Sequence, residues 1–301
     1  MARGYVLLLL VLGAIWGASF LFIEVALRDL EPTTLMATRL LLSAVILLPL
    51  LMAQMGAREA LAGLRREWRG AFVLGVIAAA LPFTLIAWGQ THVDSGIAAI
   101  ANSSMPIFVV LLALRFRPSE RTSGLRLFGV LLGLAGVGVL AGAEPKGGWW
   151  AVIGTLAVVL AAFSYATGSL VAQHYLDRTT FPVLSTGQSI AGALVLLPFG
   201  LAQLPSDLPG WKPLGSVFAL GVAGTAIGTL LYYRIVSSYG ASRASLVVYL
   251  LPPFAVFYGA TLLSEPFTIG EAAGMVLILT GVALGSGVVR FTRRATAPAQ
   301  P

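Results

Sequence analysis

Arg39 is the one basic residue set well inside an apolar stretch, and residues 33–53 around it hold no other charge. A charge in hydrocarbon costs roughly 2.5–3.5 kcal/mol on insertion scales, so such a residue turns inward and takes a partner. At 1.5 Å of rise per residue it sits about 9 Å from the start of its stretch. Glu24, near the end of the preceding stretch, lies at similar depth, and an ion pair between the two is the structural expectation. The functional alternative is that Glu24 takes up a proton or that Arg39 holds a substrate carboxylate. Both readings stay open on the sequence.

Asn102, Ser103 and Ser104 stand just before Met105-Pro106, midway along another apolar stretch. Proline has no N–H and obstructs the turn before it, which frees a carbonyl near Asn102 beside polar side chains. In lipid such a defect is tolerated where it faces protein or a wet cavity. Pro252 and Pro253, next to Tyr249, create the matching defect later in the chain, and Pro82 adds a further one. A plain kink relieved by Ser103 or Ser104 accounts for the first of these. The functional reading makes Pro82, Pro106, Pro252 and Pro253 gating bends in a cavity wall.

Aromatics with polar tips are the other candidates. Trp16, Tyr165 and Tyr249 lie deep in their stretches and are expected to face the interior, whereas Trp88 is placed for an interfacial belt and Tyr232 suits either role. With Asn102, Ser103 and Gln188 they compose a substrate-binding wall for amphipathic or zwitterionic solutes. Phosphate-bearing substrates need paired Lys or Arg, which this interior lacks.

Much other chemistry is excluded. The chain has no cysteine, so thiolate chemistry, disulfides and Cys-based metal sites are out. Only Lys146 and Lys212 are Lys, followed by Gly147 and Pro213, so no Gly-Lys-Ser/Thr phosphate loop exists and ATP is not expected to drive the protein. His92 with Asp94, and His174 with Asp177, sit in connections near helix ends and are expected to be solvated. They make neither a metal site nor a Ser-His-acid set. No catalytic residue and no cofactor are expected.

The elements that must position these residues are helices in a bilayer. Of 301 residues 58% are hydrophobic and 10% charged, with a mean hydropathy of +0.91. Soluble domains carry about 25% charged residues. Ten stretches are long enough to span: 4–26, 33–53, 70–89, 93–114 and 125–142, then 150–172, 182–204, 214–236, 244–263 and 269–289. The first, uncharged from Gly4 to Ile23, is longer than a signal-peptide core and is read as a retained helix. Fifteen of the nineteen Lys and Arg residues fall in alternate connections, including Arg58, Arg65, Arg66 and Arg69, and Arg290, Arg293 and Arg294; the opposite connections hold only Arg28, Lys146 and Lys212. That bias predicts a multi-pass protein of the cell inner membrane with both termini cytoplasmic. The net charge of +7 is thus read as anchoring to anionic lipid, with no nucleic-acid partner. Connections are short, and the longest, 54–69, is expected to hold one or two amphipathic turns. The tail 290–301 reads as disordered.

The two halves of the chain resemble each other in order. LGAIWGASFLF around Trp16 pairs with LAAFSYATGSL around Tyr165, LLPL ending at Leu50 with LLPF ending at Phe199, PIFVVLL from Pro106 with PPFAVFY from Pro252, and Glu120 with Glu265. Arg39 then corresponds to Gln188. A repeat of five helices must insert its second copy upside down, which places a site near the midplane between two halves able to rock. The spacing also pairs small residues, such as Gly13/Gly17, Gly129/Gly133, Gly138/Gly142, Gly224/Gly228, Gly270/Gly274 and Gly281/Gly285, whose plain use is close helix packing. Helices 5 and 10 carry most of them and read as scaffold.

WGASF near Trp16, PTTLMATR from Pro32 to Arg39, SGIAAIANSSMPIFVVLLAL and the long run from Gly240 to helix 10 resemble the EamA-like branch of the drug/metabolite transporter superfamily. FRPSER around Glu120 departs from the pattern, which favours an apolar run into the acidic residue. The resemblance implies an all-α membrane protein of ten helices, residues 1–142 and 150–289 forming an inverted five-plus-five repeat around a central cavity. It implies a secondary transporter that exports small metabolites, amino acids or amphipathic drugs by alternating access. Glu24 is then the only buried carboxylate expected for proton coupling, and facilitated diffusion is equally open. A flippase of lipid-linked substrates, or a subunit of one, is the alternative. The expected partners are a small-molecule substrate and the lipid bilayer, and a homodimer is compatible with the sequence.

Overall fold

The computed structural model describes residues 2–116, 124–141, 148–176, 178–239 and 244–285, and these are helical with no strand among them. The first half holds α1 (Ala2–Ala26), α2 (Pro32–Met55), α3 (Ala57–Arg66), α4 (Trp68–Gln90), α5 (Ser95–Asn102), α6 (Met105–Phe116) and α7 (Gly124–Ala141). The second half holds α8 (Gly148–Leu176) and α9 (Phe181–Ala202). Then α10 runs from Trp211–Ala219 through Leu220–Ile227 into Gly228–Tyr239, α11 from Ser245–Leu250 through Leu251–Tyr258 to Gly259–Leu263, and α12 is Ile269–Gly285. Six helices among the described residues are long and apolar enough to cross a membrane, and four shorter apolar ones accompany them. Glu120, Asp177 and the tail 290–301 lie outside the described residues.

The distribution of side chains is that of a protein dissolved in lipid. Leu41, Val45, Leu156, Leu160, Leu194, Phe199, Phe218 and Phe257 are exposed, while Arg39, Ser43, Thr155, Ser164, Ser185, Thr186, Gln188, Ser189 and Thr225 are buried. In water this arrangement would be costly on both counts. In hydrocarbon it places the polar groups where protein partners can satisfy them.

Helix ends follow local chemistry. Pro32 and Pro182 sit in the first turns of α2 and α9, where a missing N–H costs nothing. Gly56, at φ 84°, ends α2 in a conformation that a side chain would strain. The connection expected to hold a turn or two instead forms α3, ten residues with Glu59 in its first turn and Arg65 and Arg66 in its last. Those charges complement the helix dipole at both ends and let the connection continue as helix.

The fourth apolar stretch is interrupted. α5 ends at Asn102, Ser103 and Ser104 form a turn, and α6 begins at Met105 with Pro106 in its first turn. Ser103 Oγ donates to Ala99 O at 3.0 Å and Ser104 Oγ to Ala101 O at 2.7 Å, each adding to the bond from its own backbone N–H. In the ninth stretch the tight turn Ser245–Leu250 precedes Pro252 in the same way. Ser103 Oγ also donates across to Val248 O at 3.2 Å, so the two breaks are tied together. Two wide π-type turns, Val76–Ala80 before Pro82 in α4 and Leu220–Ile227 in α10, loosen the backbone at matching places.

Helix pairings recur between the halves. α1 packs on α10 and α11, and α8 packs on α4 and on α5 with α6; α2 packs on α10, and α9 on α4; α2 meets α9, α5 meets α11, and α7 meets α12. The last pair is the closest. A Cβ on Gly281 would lie 2.5 Å from the Gly133 nitrogen, and one on Gly136 2.8 Å from the Ile278 nitrogen, so only glycine allows this approach. Gly13 and Gly17 likewise receive Leu250 and Phe254 of α11. Gly138 does not follow the expectation: nothing lies within 4 Å of its Cβ position, because it turns away from α12.

Candidate substrate cavity

α1, α2, α4, α5, α6, α8, α9, α10 and α11 enclose a cavity of about 170 Å³. The lining extends to Gln173, which is exposed, and to the half-buried Leu176 at the C-terminal end of α8. That end also carries α3, since Gly63 faces Val183 and Gly70 faces Tyr175. The described basic residues Arg58, Arg65, Arg66, Arg69 and Arg178 are exposed there.

Arg39 enters the cavity from α2 at 5% exposure. Its Nε donates to Thr225 Oγ1 at 2.7 Å, and Thr225 Oγ1 in turn donates to Leu220 O at 2.9 Å within the wide turn of α10. The guanidinium carbon lies 4.0 Å from the centre of the Phe83 ring, a cation–π contact. Nη1 reaches only Met36 Sδ, at 4.0 Å. Among the described residues no carboxylate lies within ion-pairing distance of Arg39. The expected contact with Glu24 is therefore not made: Glu24 is half-buried and does not line the cavity.

The repeat counterpart sits opposite. Gln188 lines the cavity from α9; its Nε2 donates to Ala78 O in the wide turn of α4 at 3.4 Å, and its Oε1 accepts from Tyr233 OH at 2.9 Å. Ser164 Oγ donates to Ile77 O of the same turn at 2.6 Å. On the Arg39 side, Trp16 Nε1 donates to Gly224 O at 3.0 Å, and its ring lies 5.3 Å from that of Tyr232. A side chain on Gly228 would collide with Trp16, so glycine there makes room for the indole. Asn102 adds a side-chain oxygen that is buried and has no hydrogen-bond partner among the described residues. In hydrocarbon an unmade acceptor of this kind is costly, which marks the position as one that a solute or water completes.

Trp16, Asn102, Tyr165, Gln188 and Tyr232, together with Arg39, thus line one cavity. Ser103 and Tyr249 do not line it. Ser103, 1% exposed, serves the helix break, and Tyr249 packs against the core on the other side of the α11 break. Of the proline bends, Pro82, Pro106 and Pro252 are buried and Pro253 is exposed. Phe83, Thr229 and Tyr233 line the cavity, and Thr225 holds Arg39, without having been singled out. Thr225, Thr229 and Tyr232 recur at helical spacing, a pattern legible in the sequence.

Glu265, after α11, accepts from Ser95 N at 3.0 Å, from Ser95 Oγ at 2.7 Å and from Gly96 N at 3.3 Å, capping α5 with a carboxylate. Two sequence expectations are corrected here. Asp94 is 8% exposed and Glu271 3%, so Glu24 is not the only buried carboxylate, and Asp94 is not solvated. Both are drawn in by helix starts: Asp94 precedes α5, and Glu271 Oε2 accepts from Thr268 N at 3.3 Å while Thr268 Oγ1 accepts from Glu271 N at 3.1 Å. His92 is half-buried as well, with ring centres 4.5 Å from Trp88 and 5.4 Å from Trp150.

Comparison with known proteins agrees with this architecture. The model of the EamA-like transporter family matches residues 3–142 and again 152–287. A "probable amino-acid metabolite efflux pump" of Escherichia coli is 24% identical, over 94% of this chain and 94% of its own. A "probable terminal-alkyne amino-acid exporter" of Streptantibioticus cattleyicolor is 27% identical, over 93% and 90%. A solved crystal structure shares the fold at a TM-score of 0.68 and 21% identity, covering 95% of this chain and 98% of its own. The chain is a multi-pass membrane transporter and belongs to the EamA-like transporter family.

Proposed function

We propose that this protein is a secondary transporter that exports small metabolites, amino acids or amphipathic compounds across the bacterial inner membrane by alternating access. Its ten apolar segments form an inverted five-plus-five repeat, residues 1–142 and 150–289, with both termini cytoplasmic. The observation that carries the reading is the cavity lined by helices of both halves, which extends to the exposed Gln173 at the C-terminal end of α8. Helix pairings that exchange between the halves support the repeat. The exposed arginines near the Gln173 end of the cavity support that end's facing the cytoplasm, and so the loading of a cytoplasmic solute. The names of the Escherichia coli and Streptantibioticus cattleyicolor relatives support amino-acid-like cargo.

The test is survival of bacteria expressing the chain against growth-inhibitory amino acids, analogues and cationic drugs. The control is a Trp16→Ala, Asn102→Ala double variant of equal abundance. Resistance conferred by the natural chain and lost in the variant is the expected result. Resistance kept by the variant discards this cavity as the path, and resistance to no compound counts against export.

A further inference from the structure

We infer that the cavity grips its substrate by a carboxylate, held on the two Nη groups of Arg39, and that the Asn102 Oδ1 accepts from an N–H of the same molecule, so that the cargo is a small amino acid or a close relative. The inference deepens the export reading and rests on it.

The argument begins with donors. A guanidinium carries five N–H groups in a planar fork. Thr225 takes the one on Nε, and among the described residues the Nη groups meet no oxygen. Thr225 and Phe83 hold the group without quenching it. The hydroxyl fixes the Nε edge and the ring lies over the plane, so the Nη edge keeps one orientation. Two parallel N–H groups on a fixed edge match the two oxygens of a carboxylate.

Charge points the same way. A buried cation lacking a counter-ion is destabilised by its desolvation, and an anion entering the cavity removes that penalty. Arg39 is the only Lys or Arg among the described residues that line the cavity. One guanidinium pairs with the single carboxylate of a zwitterion, whose ammonium remains for Asn102 Oδ1 to accept from, whereas a phosphate ester at neutral pH would keep excess negative charge in a low-dielectric site. The stoichiometry therefore selects a carboxylate.

The second recognition element lies across the cavity. Asn102 is 7% exposed and its Oδ1 has no partner among the described residues, so it calls for a donor. Gln188 does not compete, because both ends of its amide are occupied by Ala78 and Tyr233. Phe20, Ile86, Met105 and Leu251 add an apolar surface to the lining that suits a hydrocarbon or aromatic side chain. A cavity of about 170 Å³ takes one such molecule rather than a peptide.

The experiment uses the full-length purified protein and measures thermal stabilisation and competition by probes of shared skeleton. These are leucine and phenylalanine, their carboxamides, their decarboxylated amines, and the matching acids that lack the amino group. In the natural protein the amino acids bind at least about tenfold more tightly than the amides and amines, as expected when a site built for hydrogen bonds meets an analogue that cannot make them. Arg39→Gln erases this preference. Arg39→Lys, which keeps the charge and loses the fork, retains part of it. Asn102→Leu erases the preference for leucine over its deaminated acid and leaves the need for the carboxylate. Equal binding of amino acid and amide by the natural protein, failure of every carboxylate probe, or a carboxylate preference that survives Arg39→Gln would overturn the inference. The natural-protein arms decide the matter even where a variant fails to fold. Export of a compound without a carboxylate, joined to failure here, removes the inference and keeps the transporter; absence of export removes the reading beneath it.

Discussion

The two repeat-related walls of the cavity are built alike and finished differently. On one, a residue of α2 meets the wide turn of α10; on the other, the equivalent residue of α9 meets the wide turn of α4. Gln188 spends its carbonyl and its amide on Tyr233 and Ala78, so that wall is closed upon itself. Arg39 spends one edge on Thr225 and its face on Phe83, and keeps the other edge for the cavity. The scaffold is shared and the chemistry is not. The two halves in this way place equivalent residues against equivalent turns, while only one of those residues carries a charge.

Making the walls alike should have the largest effect. Arg39→Gln is expected to reduce transport by at least about tenfold while leaving melting temperature unchanged or raised, since it removes a buried charge without a carboxylate partner. Flux in proteoliposomes and melting in detergent separate the two effects, and a large loss of stability would show that Arg39 is structural. The opposite wall should behave in reverse. Gln188→Leu strands the Tyr233 hydroxyl and the Ala78 carbonyl, a cost of about 1–3 kcal/mol in stability, while flux per folded molecule stays close to normal.

A smaller effect is expected from Thr225→Val, which leaves the charge and frees the fork. Loss of one hydrogen bond of about 1 kcal/mol corresponds to a several-fold rise in KM with maximal flux nearly kept, and Thr225→Ser should restore it. A fall in maximal flux without a change in KM would mean that Thr225 serves the motion of α10 rather than the aim of Arg39. The smallest effect on rate is expected from Glu24→Gln, a residue near Arg39 in the sequence reading but outside the wall. If Glu24 carries a coupling proton, the variant loses the pH dependence of flux; an unaltered pH profile takes it out of the mechanism and leaves Arg39 as the functional charge of its half.

Much of the site was legible before the fold. Trp16, Asn102, Tyr165, Gln188, Tyr232 and Arg39 all reach the cavity because polar or amphipathic groups in hydrocarbon have few other places to go. The same argument failed for Ser103 and Tyr249, since a helix break can also consume polar groups, and Ser103 donates to two backbone carbonyls. It failed for Asp94, whose loop was judged by its hydrophilic composition while its place at the start of α5 draws it inward.

Composition, hydropathy and the spacing of arginines by themselves determined that the chain is a bundle of apolar helices in a membrane, because the choice of solvent depends on what each segment contains. The resemblance between the halves likewise marked where bends and polar residues recur. Tertiary structure alone decided who meets whom. Arg39 finds Thr225, 186 positions away, rather than the nearby Glu24. Which partner a buried charge takes is set by the rotation of each helix about its axis and by the turn that opens in its neighbour, and no local spacing encodes those.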